Sequence, residues 1–168
     1  MKWIKTIDRI SEWTGIAAAW LVLPLTLLVT YEVAMRHFFN QPSNWGYDTC
    51  WMIFGLQFMV GGAYTLFHKG HVRIDIVYNV LPPRAQRIFD SAVYVVFFLF
   101  VTIIFTWAGI IFAADAWMSG ENLSTSTWKF PSAPIKTVIP VAYFLLFLQS
   151  LAELIRTLSS LRKGGTKE

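Results

Sequence analysis

Four long stretches of this chain contain no Asp, Glu, Lys, Arg or His: Trp13–Tyr31, Thr49–Phe67, Ser91–Ala114 and Thr137–Ala152. The first two run to 19 residues and the third to 24, enough for a helix to cross a hydrocarbon layer of about 30 Å. The fourth has 16 and extends past Glu153 into Leu154 and Ile155, since a carboxylate at a helix end can reach the interface. None alternates apolar and polar residues as a barrel strand does. Helices are the remaining way to span, because lipid cannot satisfy free backbone groups. Composition agrees: 55% of the 168 residues are hydrophobic and 14% charged, against about a quarter charged in a soluble domain. Such a chain is too apolar to be disordered. Its one cysteine excludes an internal disulfide framework, a tetracysteine zinc site and a CxxC redox centre.

The expected fold class is therefore an all-α membrane protein, a four-transmembrane-helix bundle. Residues 1–168 are expected to form a single membrane domain. Its spans cover about 13–35, 47–67, 88–114 and 136–156, with a flexible cytoplasmic tail at 162–168. With both termini in the cytoplasm, eleven of the fourteen lysines and arginines lie inside, leaving Arg36, Lys129 and Lys136 outside. That split satisfies the positive-inside rule and accounts for the net charge of +4 without nucleic acid. Lys2, Lys5 and Arg9 precede the first apolar run as in a signal peptide. Glu32 and Arg36 follow it, however, in place of a small-residue cleavage site, so an uncleaved first span is expected.

The first outer loop holds the turn formers Pro42, Ser43 and Asn44, with Trp45 and Tyr47 suited to the headgroup boundary. Glu32 and Arg36 are four apart in the favourable order for a helical ion pair, and Asp48 falls in the first turn of the second span. Two readings stand side by side. These charges mark the membrane edge and cap helices, or Arg36, Trp45 and Asp48 form a lateral docking patch. In the inner loop, Gly70 interrupts any helix that would align His68, His71 and Asp75 on a metal, so Lys69, His71 and Arg73 are expected to face phosphates. Ile74, Val77, Tyr78 and Leu81 recur at helical spacing before Pro82-Pro83, which predicts a short interfacial helix between spans two and three. Alternation over Val72–Ile76 offers a strand instead.

Within the spans, Gln57 and Gln149 are candidates for intramembrane polar packing. Gly55, Gly61, Gly62 and the pairs Gly15/Ala19 and Gly109/Ala113 permit close helix contact. Pro24 and Pro140 are the candidate helix breaks, and no mid-membrane acid accompanies either, so the chain is not expected to transport alone. No catalytic residue, cofactor or metal is expected. The outer loop Asp115–Pro134 is either a surface for an extracytoplasmic partner or a plain connector.

The order Arg36-x-x-Phe39-x-x-Pro42-x-x-Trp45-x-x-Asp48, then a glycine pair late in span two, is followed by Gly70-His71-Val72-Arg73-Ile74-Asp75, Leu81-Pro82 and Ile139-Pro140. Over about residues 9 to 160 this resembles the small permease subunit of the tripartite ATP-independent periplasmic (TRAP) transporters of bacteria and archaea. Where that family has an acidic pair after the tryptophan, this chain has Tyr47-Asp48 and keeps one acid. The resemblance implies a non-enzymatic subunit of the cytoplasmic membrane, immersed in the lipid bilayer. It would brace a large elevator-type permease subunit that takes up an organic acid on a sodium gradient, delivered by a periplasmic solute-binding protein. Arg36, Trp45 and Asp48 would then hold the outer edge of the contact with the large subunit, and His71, Arg73 and Asp75 the inner edge. Two rivals remain. A proton-coupled small multidrug exporter would depend on Glu32, and a b-type haem protein would need paired histidines inside the helices, whereas His37, His68 and His71 lie at the edges.

Overall fold

The computed structural model describes residues 2–68, 70, 82, 85, 86, 89, 92–123 and 128–164. Four helices among them are long and apolar enough to cross a membrane. The first crossing combines α1 (Lys2–Trp20) and α2 (Val22–Phe38), separated only by Leu21. Pro24 has no N–H to return to the carbonyl of Trp20, and the Leu21 amide bonds Ala18 three residues back. The helix is therefore interrupted at Leu21 and resumes at once with Val22. The 36 residues Trp3–Phe38 would measure about 54 Å if straight, well beyond the hydrocarbon thickness, so one end projects from the lipid.

The second crossing is α3 (Gly46–Phe67). The third opens with a π-helical stretch, Val93–Leu99, that continues as α4 (Phe100–Ser119). Gly120 ends α4 in the left-handed conformation at φ 63°, where glycine carries no Cβ penalty. The fourth crossing is α5 (Ala133–Gly164), which runs through Pro140 without interruption. The predicted interfacial helix at Ile74–Leu81 and the segment Ser124–Thr127 lie outside the described residues.

At the centre of the bundle, α3 packs against α1, α2 and α5, while α4 lies along α5. Lipid tails are as apolar as leucine, so these contacts depend on close fit. Small residues provide it. A Cβ on Gly15 would lie 2.2 Å from the Tyr64 ring, and one on Gly109 would meet Pro140 at 3.1 Å. Ala18, Ala63, Ala113, Ala116, Ala142 and Ala152 are buried along the same seams. Gly55, Gly61 and Gly62 behave differently, since a Cβ there meets nothing within 4 Å. Leu66, Tyr94 and Leu154 form a small core where α3, the π-helical stretch and α5 meet. At the other end of α4, the Trp117 indole donates to Thr137 Oγ1 at 3.0 Å, and Lys136 pairs with Glu121.

Gly15→Ala should therefore destabilise the purified chain by about 1–3 kcal/mol, because the Tyr64 ring must move. Gly55→Ala, which meets open space, should leave its melting temperature in detergent unchanged. Equal melting temperatures for the two variants would refute this account of the α1–α3 seam.

Candidate partner interface

The outer edge is organised by Ser43. Its hydroxyl donates to Glu32 Oε1 and accepts the Gly46 amide at 2.9 Å, joining the end of α2 to the start of α3. A Cβ on Gly46 would meet the Glu32 carboxylate and the Ser43 hydroxyl, which would have to shift. Glu32 is thereby committed, and the expected Glu32–Arg36 ion pair does not form. Arg36 is exposed and makes no ion pair or hydrogen bond with the described residues. It lines a groove of about 670 Å³ between α2 and α3, together with Leu25, Val29, Val33, Tyr47 and Trp51.

Trp45 stands just before α3 and stacks on Tyr31, with centroids 6.2 Å apart and planes at 21°. Asp48 is only 3% exposed, in the first turn of α3, where the positive end of the helix dipole favours a carboxylate. It lines a separate cavity of about 290 Å³ with Leu123 and Ile135, and Tyr47 and Trp51 line both spaces. Arg36 and Asp48 thus face different pockets across the same pair of aromatic rings. His71, Arg73 and Asp75, the candidates for the inner edge, lie outside the described residues.

Inside the bundle the two glutamines have different surroundings. Gln149 is fully buried, and its Oε1 accepts the Ser11 hydroxyl at 2.8 Å. Its amide nitrogen lies 3.3 Å from Asp8 Oδ1 and 3.4 Å from Glu153 Oε1. Arg156 closes the cluster by pairing with both Asp8 and Glu153. Glu153 is 3% exposed and faces this cluster rather than the headgroups. The five side chains staple α1 to α5. Gln57 has no such network: its Oε1 is shut away from solvent and accepts no hydrogen bond from the described residues.

Sequence reasoning missed Asp8 and Ser11 as partners of Gln149. The available signal was spacing. Asp8 and Ser11 are three apart, and Gln149, Glu153 and Arg156 fall at i, i+4 and i+7, so each set lies on one helical face. Removing one partner from a buried polar cluster orphans the others. In a double-mutant cycle, Asp8→Ala and Arg156→Ala should each lower stability and couple by about 1 kcal/mol. Additive losses in thermal unfolding would mean that the pair carries no link between α1 and α5.

A bundle of four apolar helices, with the charges between α1 and α5 tied to one another, invites comparison with known membrane proteins. The sequence pattern of the family described as "Tripartite ATP-independent periplasmic transporters, DctQ component" matches residues 25–160. The chain is 22% identical over 144 residues to the sialic acid TRAP transporter permease protein SiaT of Haemophilus influenzae (strain 86-028NP), covering 84% of this chain and 23% of that protein. It is 23% identical over 86 residues to the C4-dicarboxylate TRAP transporter small permease protein DctQ of Vibrio cholerae serotype O1 (strain ATCC 39315 / El Tor Inaba N16961), covering 49% of this chain and 37% of that protein. The chain therefore spans about a quarter of the first relative and little over a third of the second. The family match takes in all of α3, α4 and the Gln149 cluster on α5, and on that basis this chain belongs to the DctQ component family of TRAP transporters, a transport rather than a catalytic family.

Proposed function

We propose that this chain is the small subunit of a sodium-driven TRAP uptake system in a bacterial or archaeal cytoplasmic membrane. Its single membrane domain stands in the lipid bilayer with both termini on the cytoplasmic side, as the distribution of lysine and arginine favours. There it braces a large permease subunit that moves an organic acid delivered by a periplasmic solute-binding protein. The names of its relatives attach one to sialic acid and the other to C4-dicarboxylates, both carboxylic acids, which is the support for that substrate class.

The observation that carries the bracing role is the use of the charges between α1 and α5, where Glu153 is buried and Asp8 and Arg156 are half-buried. Asp8, Glu153 and Arg156 are held against each other and against Gln149, where they hold helices together. A carrier instead keeps intramembrane charges or broken helices available to a substrate or ion. Arg36, Trp45 and Asp48 at one edge, and His71, Arg73 and Asp75 at the other, are proposed to order the contact with the large subunit.

Reconstitution tests this directly. Liposomes carrying both permease subunits, given binding protein and labelled sialic acid or a labelled C4-dicarboxylate, should accumulate one of the two labels under an inward sodium gradient. Leaving out this chain should reduce uptake to background. Full uptake without it would refute the proposed role.

A further inference from the structure

The exposed side of α3 has a regular relief. Tyr47, Trp51, Phe54 and Phe58 follow one another at helical spacing, and each ring centroid lies 6.2 Å from the next. All four are exposed, Phe58 to 71%. Edge-to-face and stacked contacts hold the rings in a rigid ridge along the helix. Two grooves border it at different levels and meet at Phe54: Tyr47, Trp51 and Phe54 line the first, and Phe54 and Phe58 the second. The first is the space of about 670 Å³ against α2, and the second, of about 480 Å³, lies against α5. A ridge bordered by grooves is the relief that helices pack onto by interdigitation.

Polar groups line these grooves as well, Glu32, Arg36 and His37 in the first and Gln57 and Thr65 in the second. Arg36 stands in the first groove without an ion-pair partner among the described residues. Gln57 lines the second groove, with its Oε1 unpaired. Gln57 lies nine residues beyond Asp48, about 14 Å along the helix and so near the middle of the hydrocarbon. Lipid tails cannot donate a hydrogen bond, so an amide oxygen without a partner at that depth is costly. The terminal torsion of the amide is soft, which lets the oxygen turn into the groove. Beside it, Gly61 and Gly62 leave room for a neighbouring backbone.

The exposed side of α4 is apolar as well, and the threonines of that helix, Thr102 buried and Thr106 half-buried, are satisfied internally. Thr102 donates to the Phe98 carbonyl and Thr106 to that of Thr102.

Resting on the proposed role above, we infer that the α3 ridge is the seat of the large permease subunit. Two of its transmembrane helices lie against Trp51, Phe54 and Phe58. One presents a carboxylate to Arg36, and the other presents a hydrogen-bond donor to Gln57 where it approaches Gly62.

The test uses the full-length chain, affinity-tagged and co-expressed with the large subunit. Gly62→Leu and the double variant Phe54→Ala/Phe58→Ala should lower recovery of the large subunit at least about tenfold. Ile103→Ala and Ile110→Ala on α4 should leave it unchanged. A photo-crosslinking phenylalanine analogue in place of Phe58 should link to the large subunit, and the same probe at Ile110 should not. This second readout does not depend on how well the α3 variants fold. Crosslinks at Ile110 alone, or at Phe58 only to lipid or to a second copy of this chain, would overturn the assignment of this face while leaving the subunit role intact. Failure of the unaltered chain to retain the large subunit at all would instead remove the functional reading, and the docking face with it.

Discussion

Helices in lipid gain nothing by hiding apolar surface from one another, so this bundle must be held by close fit and by a few polar bonds. The cluster centred on Gln149 is the main polar bond of that kind. It joins α1 to α5 through Ser11, Asp8, Glu153 and Arg156, and it lies toward the end of both helices that carries the N-terminal lysines. Along the seams, Gly15 under Tyr64 and Gly109 under Pro140 bring helices together where any larger side chain would hold them apart. At the opposite end, Ser43 fixes α2 to α3 through Glu32. The bundle is thus fastened at both ends and closely packed between them.

Fastening of this kind fits a subunit whose contribution is shape. The charges between α1 and α5 are matched within the chain, and much of its remaining surface is apolar. The two exposed sides differ in one physical respect. On α4 the threonine hydroxyls are bonded to their own helix, whereas the α3 side carries an amide oxygen and a guanidinium without described partners.

The four crossings were legible in the sequence because charge is costly at mid-depth, and four charge-free stretches follow directly from that cost. Gln149 and the pairs around Gly15 and Gly109 could be read as packing positions from residue type alone. Their partners could not, because contact between Asp8 and Arg156 spans 148 positions and depends on how α1 leans on α5. The expected Glu32–Arg36 pair failed because local spacing says nothing of a competing hydroxyl from Ser43, eleven residues away. Nor does spacing reveal the π-helical opening of the third crossing, since Val93–Leu99 is as apolar as the helix it enters. Pro24 did signal the break at Leu21 in the first crossing, because a missing N–H has a local consequence.

The central claim is that this bundle stays rigid while its partner moves. Spin labels at Ile16 on α1 and Ile103 on α4, both exposed, would report its internal geometry within the assembled transporter. The distance between them should be the same without sodium, with sodium, and with sodium plus loaded binding protein. A change of roughly 5 Å or more, the size of a one-turn slide of one helix past another, would show that the small subunit takes part in the motion and would contradict the account.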